Sequence, residues 1–104
     1  MQLADIVNAI RSHQVRITDH ADEEAASDRL SMEEIYFSVL HGELIEDYPD
    51  DKPYPSCLIF GRTTAGLAVH SVWAYNPSSR WAVLITAYQP DPQRWIDWRK
   101  RKKS

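Results

Sequence analysis

Cysteine occurs once, at Cys57, in a chain of 104 residues. One thiol can neither close an internal disulfide nor build a cysteine-only metal site, so a reducing cytoplasm is the expected setting. Glycine is almost as scarce, with three residues, and none of them forms a glycine-rich loop. Long apolar runs are missing. The longest, such as Trp81–Ala87, fall far short of the roughly 20 residues that cross a bilayer, so no membrane partner is expected. The start, Met1-Gln2-Leu3-Ala4-Asp5, lacks a basic stretch leading into an apolar one, so no secretory leader is expected. Internal repeats and low-complexity linkers are also lacking. Positive charge is nearly absent from the middle of the chain, where twelve acids between Asp19 and Asp51 face only Arg29.

What is present reads as one folded domain over residues 1–104. The hydrophobic share is 43% and the charged share 26%, which is ordinary globular usage. A chain of this size buries about two-thirds of its unfolded surface. The net charge of −3 conceals an asymmetry: residues 94–104 carry +5 and residues 1–93 carry −8. We divide the chain into an N-terminal helix and link (1–18), a core (19–95) and a basic tail (96–104).

Leu3, Ile6, Val7 and Ile10 make one apolar stripe, predicting a helix over about 2–12. Val15–Thr18 is either a short strand or an extended link. Asp19 reads as the N-cap of a helix over 20–28, with acids in its first turn. Ser31 and Glu34 have capping-box spacing, with Leu30 and Ile35 at the staple positions, so a helix over 32–41 follows. Gly42 then fits the left-handed position after a helix. Beyond it the pattern becomes extended. Strands are expected at 43–48, 57–60, 67–75 and 81–88, separated by a proline-rich loop and two turns. Asp91 with Pro92 reads as the start of a last helix carrying Trp95 and Trp98.

Helices followed by closely connected strands predict an α+β domain. The N-terminal helices should pack on a four-stranded antiparallel meander, with a C-terminal helix closing the chain. Under a plain hairpin register, Leu58, Phe60, Leu67, Val69, Trp73, Val83 and Ile85 share the helix-facing side. His70, Val72, Ala74, Leu84, Thr86 and Tyr88 share the other. A one-residue slip would exchange them.

From His20 to Trp95 the sequence resembles the family called domain of unknown function 4258. The carrying pieces are His20-Ala21, Leu30-Ser31-x-Glu33-Glu34-Ile35, Ile45-Glu46-Asp47-Tyr48-Pro49, Cys57-Leu58-Ile59 and Val69-His70-x-Val72. The string Leu84-Ile85-Thr86-x-Tyr88-x-Pro90-Asp91 with Arg94 and Trp95 completes them. The resemblance implies kinship with RelE/ParE-like bacterial toxins, hence a RelE-like fold. It further implies action on messenger RNA, free or at the ribosome, and an antitoxin protein as partner. Many members carry arginines four and eight residues after the histidine. Here those positions are Glu24 and Asp28, which would repel phosphate.

RNA cleavage of this kind needs a base, a cation for the phosphorane and an acid, with no metal and no cofactor. His70, Tyr88, Arg94 and Arg62 are the expected catalytic set. The tail residues Trp98, Arg99, Lys100, Arg101, Lys102 and Lys103 are the expected RNA-binding set. His20 with Glu23 or Glu24 has helical metal-ligand spacing, but one His–Glu pair is too little for zinc. His41 suits a helix end. Cys57 reads as an inert core thiol, and Trp73 and Trp95 as core. Two functions fit: a metal-independent endoribonuclease of a toxin–antitoxin pair, or a non-catalytic protein-interaction module on the same scaffold. A His70–Tyr88 face open to solvent would support the first, and an aromatic lid over it the second.

Overall fold

The computed structural model describes residues 1–103. Its elements are α1 (Leu3–Arg11), β1 (Val15–Ile17), α2 (Asp19–Ser27), α3 (Met32–Leu40), β2 (Glu43–Tyr48), β3 (Ser56–Arg62), β4 (Ala68–Asn76), β5 (Trp81–Tyr88), β6 (Trp95–Ile96) and β7 (Lys100–Arg101). The class is α+β, but the four-stranded antiparallel meander with a C-terminal helix is overturned. The main sheet has five strands in the order β1-β5-β4-β3-β2, and β1 runs parallel to β5. The steps from β2 to β5 are antiparallel. The ambiguous Val15–Thr18 stretch becomes an edge strand because Ala82 N donates to Gln14 O at 3.0 Å and Thr18 N to Leu84 O at 3.2 Å.

The expected C-terminal helix is a hairpin of β6 and β7. Asp91 does act as a local cap, its carboxylate accepting from Gln93 N at 2.9 Å, but the chain turns only once. Trp95 is drawn into the interior, 6% exposed. Asp97 and Trp98 then take left-handed φ values of 51° and 62°. Two such residues in succession cannot continue a right-handed helix and do suit a tight hairpin turn. Arg99 N closes that turn by donating to Ile96 O at 3.1 Å.

The helix starts follow their side-chain chemistry. Ser31 Oγ accepts from Glu34 N at 3.1 Å, and Glu34 Oε1 accepts from Ser31 N at 2.9 Å, completing the capping box of α3. The cap of α2 is Thr18 rather than Asp19, its hydroxyl accepting from Ala21 N at 3.0 Å. Gly42 serves a different purpose from the expected one, since Gly66 is the glycine with positive φ, at 85°. A Cβ on Gly42 would stand 2.3 Å from Ser38 O, and one on Gly61 would stand 1.8 Å from the same atom. Helix α3 therefore lies directly on the β3 backbone, at a distance only glycine permits.

Ile6, Ala9, Ala21, Ala25, Ile35 and Val39 from the helices meet Cys57, Ile59, Val69, Trp73, Leu84 and Ala87 from the sheet in one core. The largest member, Trp73, is wholly enclosed, and its indole N–H donates to Ser71 Oγ at 2.9 Å. The expected side assignment is half wrong. The expectation puts Val83 and Ile85 on the side of Trp73, but the register running from Asn76 opposite Trp81 sets Leu84 opposite Trp73, and it then shifts so that Thr86 opposes Val72. On the other flank Cys57, not Leu58, faces Trp73. Opposed cross-strand residues share a face. So Leu58 and Phe60 join His70 and Val72 on the side away from the helices.

Ser31→Ala removes one capping bond and should cost about 1 kcal/mol of unfolding free energy. Gly61→Ala forces α3 off β3 and should cost about 3 kcal/mol or more. Urea unfolding followed by tryptophan fluorescence checks both, and equal losses for the two variants would contradict the contact described at Gly61.

Candidate nucleic-acid interface

Strands β4 and β5 set His70 and Tyr88 directly opposite one another, with ring centroids 5.6 Å apart. The pair was expected as a catalytic couple. His70, however, is 0% exposed. Trp95 lies edge-on to its ring at 4.4 Å, and Phe60 at 5.9 Å. His70 Nε2 is 2.7 Å from the carbonyl oxygen of Trp98, so Nε2 carries the proton and donates. Nδ1 is buried and has no hydrogen-bond partner among the described residues. Burial holds the pKa of His70 below its ordinary value and Arg101 adds to this, against the opposing pull of the Trp98 carbonyl and Glu46. The imidazole is thus a neutral donor under an aromatic lid.

The lid is the β6–β7 hairpin, and two of the expected RNA-binding arginines hold it down. Arg101 grips Glu46 on β2 through Nε–Oε2 at 3.0 Å and Nη2–Oε1 at 3.1 Å. Burial alone would raise the Glu46 pKa, but bonds from Arg101 and the Tyr48 hydroxyl bring it below the usual range. The Arg101 guanidinium also lies 4.8 Å over the Trp95 ring. Arg99 Nε reaches Glu43 Oε1 at 2.5 Å, Nη1 reaches Asp97 Oδ2 at 2.8 Å, and the head lies 4.8 Å over Phe60. Single exposed ion pairs are weak. Here each is doubled by an aromatic stack, which adds to the hold.

Beside the lid opens a cleft of about 630 Å³, lined by Tyr88, Asp91, Arg94, Arg101, Lys102 and Lys103 among others. Arg94 is held only loosely, its Nε 3.8 Å from Asp91 Oδ2, and its side chain is 82% exposed. Lys102 and Lys103 make no ion pair among the described residues. Burial pushes the Tyr88 phenol up, so it keeps its proton at neutral pH and offers a donor to an anion. The cleft can therefore receive phosphate. The acids of α2 are turned to another use. Glu24 Oε1 accepts from Thr86 Oγ1 at 2.6 Å, Glu24 Oε2 lies 3.1 Å from His20 Nε2, and Asp28 Oδ2 accepts from Gln89 N at 2.7 Å. They tie the helix to the end of β5.

Of the expected residues, the structure brings Tyr88, Arg94, Arg101, Lys102 and Lys103 together. His70 lies behind them, sealed. Arg62 stands elsewhere: its Nη1 donates to Gly66 O at 3.1 Å, and it borders a separate recess with Phe37, His41 and Arg99. Lys100 is exposed on β7 and does not line the cleft. Trp98 is half-buried in the hairpin turn, and the exposed tryptophan is Trp81, at 37%. Cys57 is buried as expected, and burial together with Asp47 pushes its thiol up to about 12. The anchors Glu43 and Glu46 were not read from the sequence, and no local spacing could have linked them to arginines more than fifty residues away. No group of three or more His, Cys, Asp or Glu placed to hold a metal occurs among the described residues. No helix among them is long and apolar enough to cross a membrane.

The family model described as "Domain of unknown function (DUF4258)" matches residues 17–89. No curated protein and no solved structure matches the chain.

A base whose pKa is lowered by folding stabilises the fold above its unfolded pKa, near 6.5, and loses that contribution as pH falls through it. Wild-type stability should therefore decline as the pH drops below about 6.5. Ring ¹⁵N shifts of His70 should show the neutral Nε2–H pattern predominating at about pH 6.5, and a ring at least half-protonated there would refute the sealed environment.

Proposed function

The chain belongs to the DUF4258 family, and on that premise we propose that it is an RNA-directed interaction module, binding RNA phosphates in the cleft bordered by Tyr88, Arg94, Lys102 and Lys103. One observation carries this reading: Lys102 and Lys103, unpaired among the described residues, and the loosely held Arg94 gather with a protonated phenol around one open recess. Cations that are not spent on carboxylates are the ones that can replace the counterions of a phosphate chain. The rigid hairpin beneath them, clamped through Arg99 and Arg101, fixes their positions in advance, which lowers the entropy lost on binding. Kinship with RelE/ParE-like toxins, which the resemblance to the family implies, would make messenger RNA the natural ligand and an antitoxin the natural partner. The sealed imidazole of His70 favours binding over His70-driven cleavage.

A second reading, the metal-independent endoribonuclease, is favoured by Tyr88. In the cleft the Asp91 carboxylate can take the proton of the attacking 2′-hydroxyl, the Tyr88 phenol that retains its proton can pass it to the leaving 5′-oxygen, and Arg94 can steady the phosphorane. In that reading His70 orients the hairpin and does not exchange protons with RNA.

Fluorescence anisotropy with a labelled single-stranded RNA tests the first reading. Binding should weaken with rising salt, and each of Arg94→Ala, Lys102→Ala and Lys103→Ala should flatten the slope of log K against log salt by roughly 0.7. Lys100→Ala should leave it unchanged. Salt-independent binding, or equal losses at Lys100 and Lys102, would sink the cleft as the RNA site. Cleavage by the wild type that Tyr88→Phe abolishes and His70→Gln retains would establish the endoribonuclease in place of the module.

A further inference from the structure

The opposite end of the sheet carries a surface that the cleft does not explain. Ile17 on β1, Tyr54 in the proline loop and Trp81 at the start of β5 are 39%, 38% and 37% exposed. They are three of the five large apolar side chains exposed among the described residues, and they converge. A recess of about 320 Å³ holds Ile17, Tyr54, Val83 and Ile85. A second of about 320 Å³ holds Tyr54, Trp81 and Val83. Sharing Arg16, Tyr54 and Val83, the two form one continuous groove, and neither shares a lining residue with the RNA cleft.

The rim has a sign opposite to that of the body. Arg16 borders both halves and Lys52 borders one, and neither makes an ion pair among the described residues. The one acid in the lining, Asp51, is already engaged, accepting from Ser56 Oγ at 2.6 Å and from Lys52 N at 3.1 Å. An apolar floor with unpaired cations at its rim is complementary to an amphipathic segment that carries carboxylates beside its apolar residues. The strand that forms one wall, β1, is also the edge of the sheet, with one side of its backbone unpaired by any strand. We infer that this groove docks an acidic amphipathic segment of a second protein. A second copy of this chain fits poorly. Its acidic helix α2 offers only alanines as apolar residues, and two of the three, Ala21 and Ala25, are already buried.

The probe is a synthetic amphipathic peptide with leucines at helical spacing and glutamates between them, with a control in which lysines replace the glutamates. Backbone amide shifts of the ¹⁵N-labelled protein locate the binding. The acidic peptide should perturb Ile17, Tyr54, Trp81 and Val83 and leave Arg94 and Lys102 unmoved. Arg16→Glu with Lys52→Glu should weaken it on the order of tenfold and favour the lysine peptide instead. Trp81→Ser, a change at a partly exposed site, should weaken both peptides. Equal affinity for the two peptides in the wild type, or shifts confined to the RNA cleft, would overturn the inference. So would a dimer in sedimentation that Trp81→Ser dissolves, because the occupant would then be a second copy.

Discussion

One extra residue in β5 determines which side chains belong to the core and which to the working surface. The register shift opposite Val72 and Trp73 lets Leu84 and Ala87, which strict alternation would place on opposite sides, both enter the helix-packed core. It leaves the His70–Tyr88 pair on the other side of the sheet, where the C-terminal segment covers it. Bulges of this kind re-aim side chains at little cost in pairing. Without it, Ala87 would oppose His70 and the end of β5 would present different residues to the hairpin. The cleft is thus built on a local irregularity in an otherwise regular sheet.

The hairpin shows how a chain with few glycines and one thiol keeps a terminal segment in place. Trp98 accepts a left-handed conformation, unusual for a bulky residue, and its carbonyl meets the buried imidazole of His70. Arg99 and Arg101 then hold their guanidinium heads over Phe60 and Trp95 while their nitrogens meet Glu43 and Glu46. Labour is divided within one run of five basic residues. Residues 99 and 101 face β2, and their neighbours are left for other contacts.

Much of the helical part was legible because its signals are local. The Ser31–Glu34 box and the apolar stripe of α1 can be read from neighbouring residues alone. So could the antiparallel order of β2 to β5, which follows from short connections. What was not legible depends on contacts distant in sequence. The pairing of β1 with β5 joins residues far apart, and nothing within Val15–Ile17 announces a parallel partner. The last helix failed because the Asp91–Pro92 start is real but the pull of Trp95 toward His70 is stronger than a cap. The cations of the candidate cleft were found by composition, while the withdrawal of Arg99 and Arg101 into carboxylate pairs, the burial of His70 and the separate position of Arg62 required the three-dimensional arrangement.

The tethers of α2 have a bearing on lineage. Glu24 accepts from the Thr86 hydroxyl, the Asp28 carboxylate accepts from the backbone N–H of Gln89, and the Gln89 side chain donates to the Asp28 carbonyl. A relative with arginine at 24 would have to turn the Thr86 hydroxyl round to accept, and one with arginine at 28 would leave the N–H of residue 89 without its carboxylate. Changes at 24 and 28 should therefore go with a rearrangement at the end of β5.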